Sequence, residues 1–263
     1  MTTITLDILV LCKDNPSDLT RTLDSISRAR GSFVIFSVMV VDGSSDASCM
    51  CVADKHYLHS IIRYVSSYSQ RVFGIYPSMN LALLLSCSDW CIFLNSGDEF
   101  HPSFSISSFS LAVNTFSGVA CIFGRSEIVS DTGFTWIMPS ARIRSITRWC
   151  RFFEPSHQSM FVKTPVAKSL PFDERSKYGA DSLWKRTLIN SYQSLYIPYC
   201  ISRFYLGGVS SSYSVRILSA KLREPTRRPY EKLMEVLKYI LFALGLMSPR
   251  LQYLRAEIIG FLF

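Results

Sequence analysis

The stretch FVIFSVMVVDGSSD, residues 33–46, predicts the architecture of the chain. Its mostly apolar residues suit a strand buried on both faces, and the strand ends abruptly in a polar turn. Residues 4–12 repeat this pattern, and residues 90–94 form another strand that ends in Asn95-Ser96-Gly97-Asp98. Apolar residues at helical spacing follow the strands, with Ser17 as a candidate N-cap of the first helix. The alternation predicts βαβ units and a mostly parallel sheet.

The polar turns are the first indication of function. In parallel α/β sheets, ligands bind beyond the carboxyl ends of the strands, and both acidic turns fall at such ends. The turn of Asp42, Ser44 and Asp46 suits either a helix-capping loop or a nucleotide pocket, in which a carboxylate accepts from the base or ribose. The turn of Asn95 and Asp98 suits either a plain turn or a Mg²⁺ site.

The composition limits the classes of function. The chain has 263 residues, of which 48% are hydrophobic and 18% charged, and this excludes a disordered tail or a collagen. A net charge of +8 favours an anionic partner such as a nucleotide, a nucleic acid or a membrane face. Nucleic acid is not expected as a partner, because no recognition motif is present. A Rossmann dehydrogenase is not expected either, since residues 12–17 contain no glycine.

The eight cysteines follow no disulfide or zinc pattern. Cys49 and Cys51 are too close in sequence for a usual zinc pair, and no second pair stands at ligand spacing. We therefore expect reduced, mostly buried thiols in a cytosolic protein.

The second half of the chain is less regular. Strands are predicted at residues 119–123, 126–129 and 159–162. A helix is predicted at residues 178–190, with Asp181 in its first turn, where the simplest role of a carboxylate is to stabilise the helix dipole. His157 and Gln158 precede a strand, and a lone histidine is more often structural than catalytic.

Two basic stretches complete the pattern. An arginine run, which suits a solvated face or a diphosphate, comprises Arg142, Arg144, Arg148 and Arg151. Residues 216–238 hold seven basic and three acidic side chains, with apolar residues at helical spacing, as is typical of helices on a membrane surface. The alternative is packing on the domain or on a partner subunit. The best apolar window, residues 236–247, is too short to span a membrane and contains Lys238.

In their order along the chain, the polar elements resemble the inverting family 2 glycosyltransferases, which have the GT-A fold. Val40-Val41-Asp42-Gly43-Ser44-Ser45-Asp46 is similar to the VVDxxSxD element of that family, and Phe93-Leu94-Asn95-Ser96-Gly97-Asp98 is similar to its DXD stretch. Ala180-Asp181, with Leu183-Trp184 and Arg186, resembles its ED-x-x-LW-x-R helix. The likeness covers about residues 4–210.

A narrower combination resembles the branch typified by colanic acid biosynthesis glycosyltransferases, which build bacterial exopolysaccharide and O-antigen units. It comprises Gly74-Ile75-Tyr76, Leu94-Asn95-Ser96-Gly97-Asp98, His157-Gln158 and Gly207-Gly208-Val209-Ser210. Three residues depart from the broader family. Asn95 and Gly97 stand where it has aspartates, and Ala180 replaces the acidic residue before the base.

The resemblance implies a fold and a domain division. The fold class is α/β, with a Rossmann-like, mostly parallel central sheet of the GT-A (nucleotide-diphospho-sugar transferase) type and C-terminal helices. Residues 1–212 form the glycosyltransferase domain, with a nucleotide-binding half at 1–100 and an acceptor half at 101–212. Residues 213–263 form basic amphipathic helices.

The resemblance also implies roles for individual residues. Asp181 is expected to be the catalytic base, and Asp98 to hold Mg²⁺ or Mn²⁺. The nucleotide sugar is expected to contact Asp14, Asn15, Asp42, Ser44, Asp46, Asn80, Asn95 and Ser96. His157 and Gln158 are expected to face the acceptor or the phosphates.

The implied function is that of a hexosyltransferase-type enzyme. It would move a sugar, with inversion, from a nucleotide-diphosphate sugar to a saccharide acceptor in bacterial exopolysaccharide or O-antigen synthesis. A lipid-linked acceptor and peripheral membrane contact through residues 216–263 are expected, at the cytoplasmic face of the membrane. The alternative is a catalytically degenerate scaffold that binds a nucleotide or a membrane in a glycan-assembly complex.

Overall fold

The computed structural model describes residues 3–29, 31, 33–130, 133–140, 146, 150, 155–176, 178–206, 215–223 and 229–244. The strands are β1 Ile4–Cys12, β2 Val34–Asp42, β3 Ile62–Ser66, β4 Trp90–Phe93, β5 Glu99–Phe100, β6 Cys121–Val129, β7 Thr135–Met138, β8 Met160–Lys163 and β9 Ser194–Tyr205. The helices are α1 Pro16–Arg28, α2 Ser48–Lys55, α3 Ile75–Leu85, α4 Ile106–Thr115, α5 Thr164–Ser169, α6 Ala180–Ser191, α7 Val215–Arg223 and α8 Pro229–Ala243. Two 3₁₀ turns cover His59–Ile61 and His157–Ser159.

Within these residues the strands form one nine-stranded sheet in the order β3-β2-β1-β4-β8-β6-β9-β5, with β7 paired to β6. The first four strands of this order are parallel, as the alternation of strands and helices predicts. Cys12 pairs with Asp42, and Asp42 pairs with Ser66, so the ends of β1, β2 and β3 meet at one edge. The Ser96 N–H donates to the Leu11 carbonyl, which brings the turn after β4 to the same edge.

The second half of the sheet is mixed. β8 is antiparallel to β4 and β6, β5 is antiparallel to β9, and β7 is antiparallel to β6, whereas β6 and β9 are parallel. The register between β6 and β9 shifts after Phe123. Pro198 lies in this bulge, where its missing N–H is tolerated. Gly124 lies opposite, and a Cβ there would come within 2.7 Å of the Tyr199 carbonyl oxygen.

Side chains alternate along β1 and so divide the core between the two faces of the sheet. Ile8 packs in one cluster with α1 and with Phe109 of α4. Leu9 packs in the other, with α3 and with Trp184 of α6. Full burial of such side chains contributes about 1.5–3 kcal/mol each. Helices therefore pack on both faces of the sheet, as is typical of α/β proteins.

Several predicted boundaries differ from the observed ones. Asn15, not Ser17, caps α1, because its Oδ1 accepts from the Asp18 N–H at 3.1 Å. The two strands predicted within 119–129 are the single strand β6, which continues through Gly124. The sequence does not predict β9 or α4, because Pro198 interrupts the first and a serine-rich alternation obscures the second.

Several predicted elements lie outside the described residues. They are Arg142, Arg144, Arg148 and Arg151, the Gly207-Gly208-Val209-Ser210 element, and residues 245–263. The described part of the C-terminal region forms α7 and α8, and exposed apolar side chains of α8 are Leu233, Leu237, Ile240 and Phe242. Among the described residues, no helix is long and apolar enough to cross a membrane.

All the cysteines are free thiols. The buried ones are Cys12, Cys49, Cys91 and Cys121. Cys51 and Cys87 are exposed, so the expectation of mostly buried thiols holds for only half of the eight.

β1 contains a buried charge that its apolar pattern does not predict. The Asp7 side chain accepts hydrogen bonds from the hydroxyls of Ser37, Ser86 and Ser88 and from the N–H groups of Cys87 and Ser88. Burial acts to raise the pKa of Asp7, but these donors outweigh it and lower that pKa below its ordinary value. The network ties the loop between α3 and β4 to the central strand.

Asp7→Asn should lower the free energy of unfolding at neutral pH by about 2–4 kcal/mol, because an amide NH₂ would face groups that now donate to a carboxylate. Since the folded pKa is depressed, the carboxylate stabilises the fold fully above the unfolded pKa of about 3.9, and this stability is lost as pH falls through the folded pKa. Urea unfolding at about pH 7, 5 and 3.5 measures the difference. Asp54→Asn, at an exposed position of α2, is the control. A deficit of equal size at all three pH values would contradict this explanation.

Candidate active site at the carboxyl edge of the sheet

Asp42, the last residue of β2, is buried at the carboxyl edge of the sheet. Its Oδ1 accepts from the backbone N–H and the hydroxyl of Ser44, at 2.8 and 2.6 Å. Its Oδ2 accepts from the Tyr64 hydroxyl, which reaches it from β3. Burial, together with this carboxylate, raises the pKa of Tyr64 well above its ordinary value, so the phenol remains a donor.

The ends of β1 and β2 are linked through the same serine. The Asp14 N–H donates to Ser44 Oγ at 2.7 Å. Asp14 itself has a left-handed backbone with φ +52° and an exposed side chain. Asp14, Asp42 and Ser44 therefore lie together, as a nucleotide-binding group requires, and their contact with a nucleotide stays a prediction.

Three other predicted nucleotide contacts use their side chains in hydrogen bonds within the protein. Asn15 caps α1. Asp46 Oδ1 accepts from the Ser48 N–H at 2.9 Å, at the start of α2. The Asn80 amide donates to the Phe172 carbonyl and accepts from its N–H, at 2.9 and 2.8 Å. These bonds give each residue type a role within the fold, and the part of the three residues in nucleotide binding also stays a prediction.

The turn after β4 has a backbone conformation that favours glycine. Gly97 has φ +98°, and a Cβ there would lie 3.3 Å from an Asp18 carboxylate oxygen. The Arg21 guanidinium donates to the Gly97 carbonyl at 2.9 Å, and the Thr22 hydroxyl donates to the Asp98 carbonyl at 2.7 Å. The glycine that departs from the family pattern is therefore explained by the way α1 holds this turn.

Asp98 is buried in this turn, with 6% of its surface exposed. Its Oδ2 accepts from Gln158 Nε2 at 2.8 Å. Burial raises the pKa of Asp98 to about 7, although the Gln158 amide and the Arg21 guanidinium act against this rise. A bound cation would favour the ionised form of such a carboxyl group.

The same turn offers oxygen donors that fit a divalent cation. Besides Asp98, it contains Asn95 Oδ1 and Ser96 Oγ, which are buried and have no hydrogen-bond partner among the described residues. Such unpaired oxygens are costly unless something binds them. Mg²⁺ commonly takes one or two carboxylates plus substrate phosphates, and this donor set fits it. The adjacent Glu99 is engaged elsewhere, because its Oε1 accepts from the Tyr205 hydroxyl at 2.7 Å.

Asp181 lies in the first turn of α6, as predicted, at the centre of a polar cluster. Its Oδ1 accepts from the Tyr76 hydroxyl at 3.1 Å, and its Oδ2 lies 3.5 Å from Lys185 Nζ and 3.6 Å from His157 Nδ1. Burial acts to raise the pKa of Asp181, but Lys185, His157 and Tyr76 outweigh it and hold that pKa well below its ordinary value. The side chain is 25% exposed, so a substrate group can reach an ionised carboxylate.

The 3₁₀ turn before β8 joins the two parts of the site. His157 lies between Asp181 and Asn95, with its Nε2 3.3 Å from Asn95 Nδ2. The next residue, Gln158, donates to Asp98. The fold therefore brings together five residues from three separate segments of the sequence, all of which the resemblance singles out.

The sequence patterns indicate no role for Tyr64, Tyr76 or Lys185, although all three contact a predicted site carboxylate. Helical spacing could identify Lys185, since it stands four residues after Asp181 on one helix face. The two tyrosines approach their carboxylates from other elements, and no local pattern reveals such long-range pairs.

Comparisons with known proteins find a likeness of fold. A scan against protein-family models returned no match, and a search of curated proteins returned none.

Among solved structures, S. aureus TarS matches with a TM-score of 0.60 and 13% identity, over 98% of this chain and 54% of that chain. This chain thus spans about half of TarS. TarS 1-349 in complex with UDP-GlcNAc matches with a TM-score of 0.61 and 14% identity, over 96% and 79% of the two chains. The form in complex with UDP matches with a TM-score of 0.59 and 14% identity, over 95% and 74%. At this identity the likeness shows the fold alone, which agrees with a GT-A-like α/β arrangement.

Lys185→Met should raise the pKa of Asp181 by about 1–3 pH units, toward its ordinary value, because an ammonium at 3.5 Å now favours the charged carboxylate. Carboxyl ¹³C chemical shifts of labelled aspartate, followed with pH, measure the change. Lys185→Arg keeps the positive charge and should leave the pKa low. If the Met variant titrates as the wild type does, Lys185 does not set the charge state of this carboxyl.

Proposed function

We propose that this chain is a glycosyltransferase that moves a sugar from a nucleotide-diphosphate sugar to a saccharide acceptor. The observation that carries the proposal is the Asp181 carboxylate, held by Tyr76, His157 and Lys185 at the carboxyl edge of the sheet. His157, which contacts Asp181, also contacts Asn95 in the turn that contains Asp98. A reachable base beside oxygen donors for a cation suits displacement of a diphosphate leaving group.

The TarS structures support the choice of donor class. TarS has been crystallised with UDP and with UDP-GlcNAc, and this chain has the same fold. We therefore take UDP-sugars as the first donors to test. In this arrangement Asp42 would face the base of the nucleotide, with Asp14 and Ser44 beside it at the ends of β1 and β2.

Asp98, Asn95 and Ser96 would hold Mg²⁺ or Mn²⁺ in the proposed enzyme. Such a cation neutralises the charge that develops on the departing nucleoside diphosphate. Gln158 orients Asp98 through the hydrogen bond to its Oδ2.

Asp181 would act as the general base. It accepts the proton of an acceptor hydroxyl while the hydroxyl oxygen attacks the anomeric carbon, and the bond from that carbon to the diphosphate oxygen breaks. Attack opposite the leaving group inverts the anomeric centre. Base catalysis of this kind contributes typically about 10²–10⁴-fold. His157 contacts both Asp181 and Asn95, and would therefore lie between the acceptor and the donor.

We extend the proposal to a lipid-linked acceptor at the cytoplasmic face of a membrane, as in exopolysaccharide or O-antigen assembly. Its support is α8, which exposes Leu233, Leu237 and Ile240 at helical spacing. The same helix contains two lysines and two glutamates, so the support comes from its apolar side chains and not from a net charge. Apolar side chains at this spacing suit the headgroup region of a membrane.

Asp181→Asn should lower turnover by about 10²–10⁴-fold, because the amide cannot take the proton, and should leave nucleotide affinity nearly unchanged. Release of UDP from UDP-sugars measures turnover, and calorimetric titration with UDP measures affinity. Asp54→Asn is the matched control, at an exposed position outside the site. Unchanged turnover in Asp181→Asn would exclude Asp181 as the base. Wild-type protein that binds UDP but turns over no nucleotide sugar would favour the degenerate scaffold.

A nucleoside diphosphate at about 100 times its Kd should raise the Tm by about 5–10 °C in the presence of Mg²⁺ or Mn²⁺. Because Asp98 is the single carboxylate of its turn, Asp98→Ala should remove the part of the shift that depends on the metal. Thermal unfolding against a panel of nucleoside diphosphates, with and without cation, measures this. No shift with any nucleotide, on folded protein, would contradict the proposed enzyme.

A further inference from the structure

A second group of ligand-type side chains lies beside the candidate nucleotide site. Cys12 ends β1, Asp42 ends β2, and Cys49 lies in the first turn of α2. They are 7%, 1% and 0% exposed. Two sulfur atoms and one carboxylate oxygen of these residues lie within 4.8 Å of one another. In the part of the chain that the structure describes, this is the one group of three such residues at metal-ligand spacing.

The donor atoms suit zinc. Zn²⁺ binds thiolates at about 2.3 Å and carboxylate oxygens at about 2.0–2.2 Å, with tetrahedral geometry. Those bond lengths place neighbouring donors about 3.5–3.8 Å apart. The observed spacing, within 4.8 Å, leaves about 1 Å to close, which rotation of three side chains can provide. A hard cation such as Mg²⁺ prefers oxygen and would not select two sulfur ligands.

We propose that Cys12, Asp42 and Cys49 form a binding site for Zn²⁺. Each thiol gives its proton to solvent as its sulfur binds the metal. Ser44 Oγ, which lies 2.6 Å from Asp42 Oδ1 and 3.7 Å from Cys49 Sγ, is placed to fill the fourth position, directly or through a water molecule. The site is distinct from the oxygen donors of the turn that contains Asp98.

Sequence spacing conceals this site. The close pair in sequence is Cys49 and Cys51, yet the two residues differ in burial, and the sulfur that meets Cys49 comes from the end of β1. Cys51 is exposed on the same helix and therefore provides a matched control.

A zinc ion bound at this site would also affect Asp42, whose carboxylate oxygens accept hydrogen bonds from Ser44 and Tyr64. This consequence rests on the proposed function: a zinc ion that draws the carboxylate away should weaken nucleotide binding. The zinc site itself does not rest on it. A failure of zinc to bind would not affect the Mg²⁺-dependent rise in Tm that tests the proposed enzyme. The two proposals can therefore fail independently.

The test uses the full chain with its thiols kept reduced. Titration with Cd²⁺, followed by the ultraviolet thiolate-to-metal absorption, and native mass spectrometry with Zn²⁺ should each show one ion per chain. Cys12→Ser and Cys49→Ser should each weaken binding by at least about tenfold, since loss of even an outer hydrogen-bond partner of a metal ligand costs about 10–100-fold. Cys51→Ser should bind as the wild type does.

Absence of binding by the wild type, or wild-type affinity in both Cys12→Ser and Cys49→Ser, would overturn the proposal. The proposal can be tested even if a variant does not fold. X-ray absorption of the wild-type zinc complex counts the sulfur atoms bound to the metal and needs no variant. Two sulfur neighbours would support the site. Any other number would overturn it.

Discussion

The parallel pairing of β1 with β2 and β4 is the constraint on which the candidate site depends. Cys12 pairs with Asp42, and the chain beyond β4 stays bonded to Leu11, so the polar ends of three strands share one edge. A register slip of one residue would turn every side chain of a strand to the opposite face. Buried apolar residues on both faces of the sheet prevent such a slip, because each face packs into its own core cluster. The chemistry at the edge therefore depends on packing in the middle of the sheet.

Most of the parallel half and its polar turns can be predicted from sequence, because β1, β2 and β4 are mostly apolar runs that are followed by polar turns. The second half resists prediction for a physical reason. Gly124 and Pro198 are typical of chain breaks, yet here they lie opposite each other in a bulge, where a side chain would clash and an N–H is not needed. Pairing of β8 with β4 and β6 adds antiparallel neighbours that no local pattern indicates.

The candidate site could be predicted where a residue's position follows from the end of a strand or the start of a helix. Asp42, Asp98 and Asp181 belong to that group. Tyr76 does not, since its contact with Asp181 joins two helices that are distant in sequence. A simple structural role does not prevent a residue from also belonging to the candidate site. Asp181 lies in the first turn of α6 and is also the centre of a charged cluster. The role that the structure shows for Asn15 is to cap α1.

β1 has a buried carboxylate at its fourth residue, Asp7, and ends at Cys12. Cys12 lies five positions further along the strand, or about 17 Å at the usual rise of a strand. The Asp7 carboxylate is held by hydroxyl and N–H donors from β2 and from the loop between α3 and β4, whereas Cys12 lies at the carboxyl edge of the sheet. Asp7 thus fixes the sheet from the middle of β1, while the candidate site lies at the carboxyl end of the same strand. A substitution at the edge therefore leaves the hydrogen bonds of Asp7 in place, because Asp7 and Asp42 share no hydrogen-bond partner among the described residues.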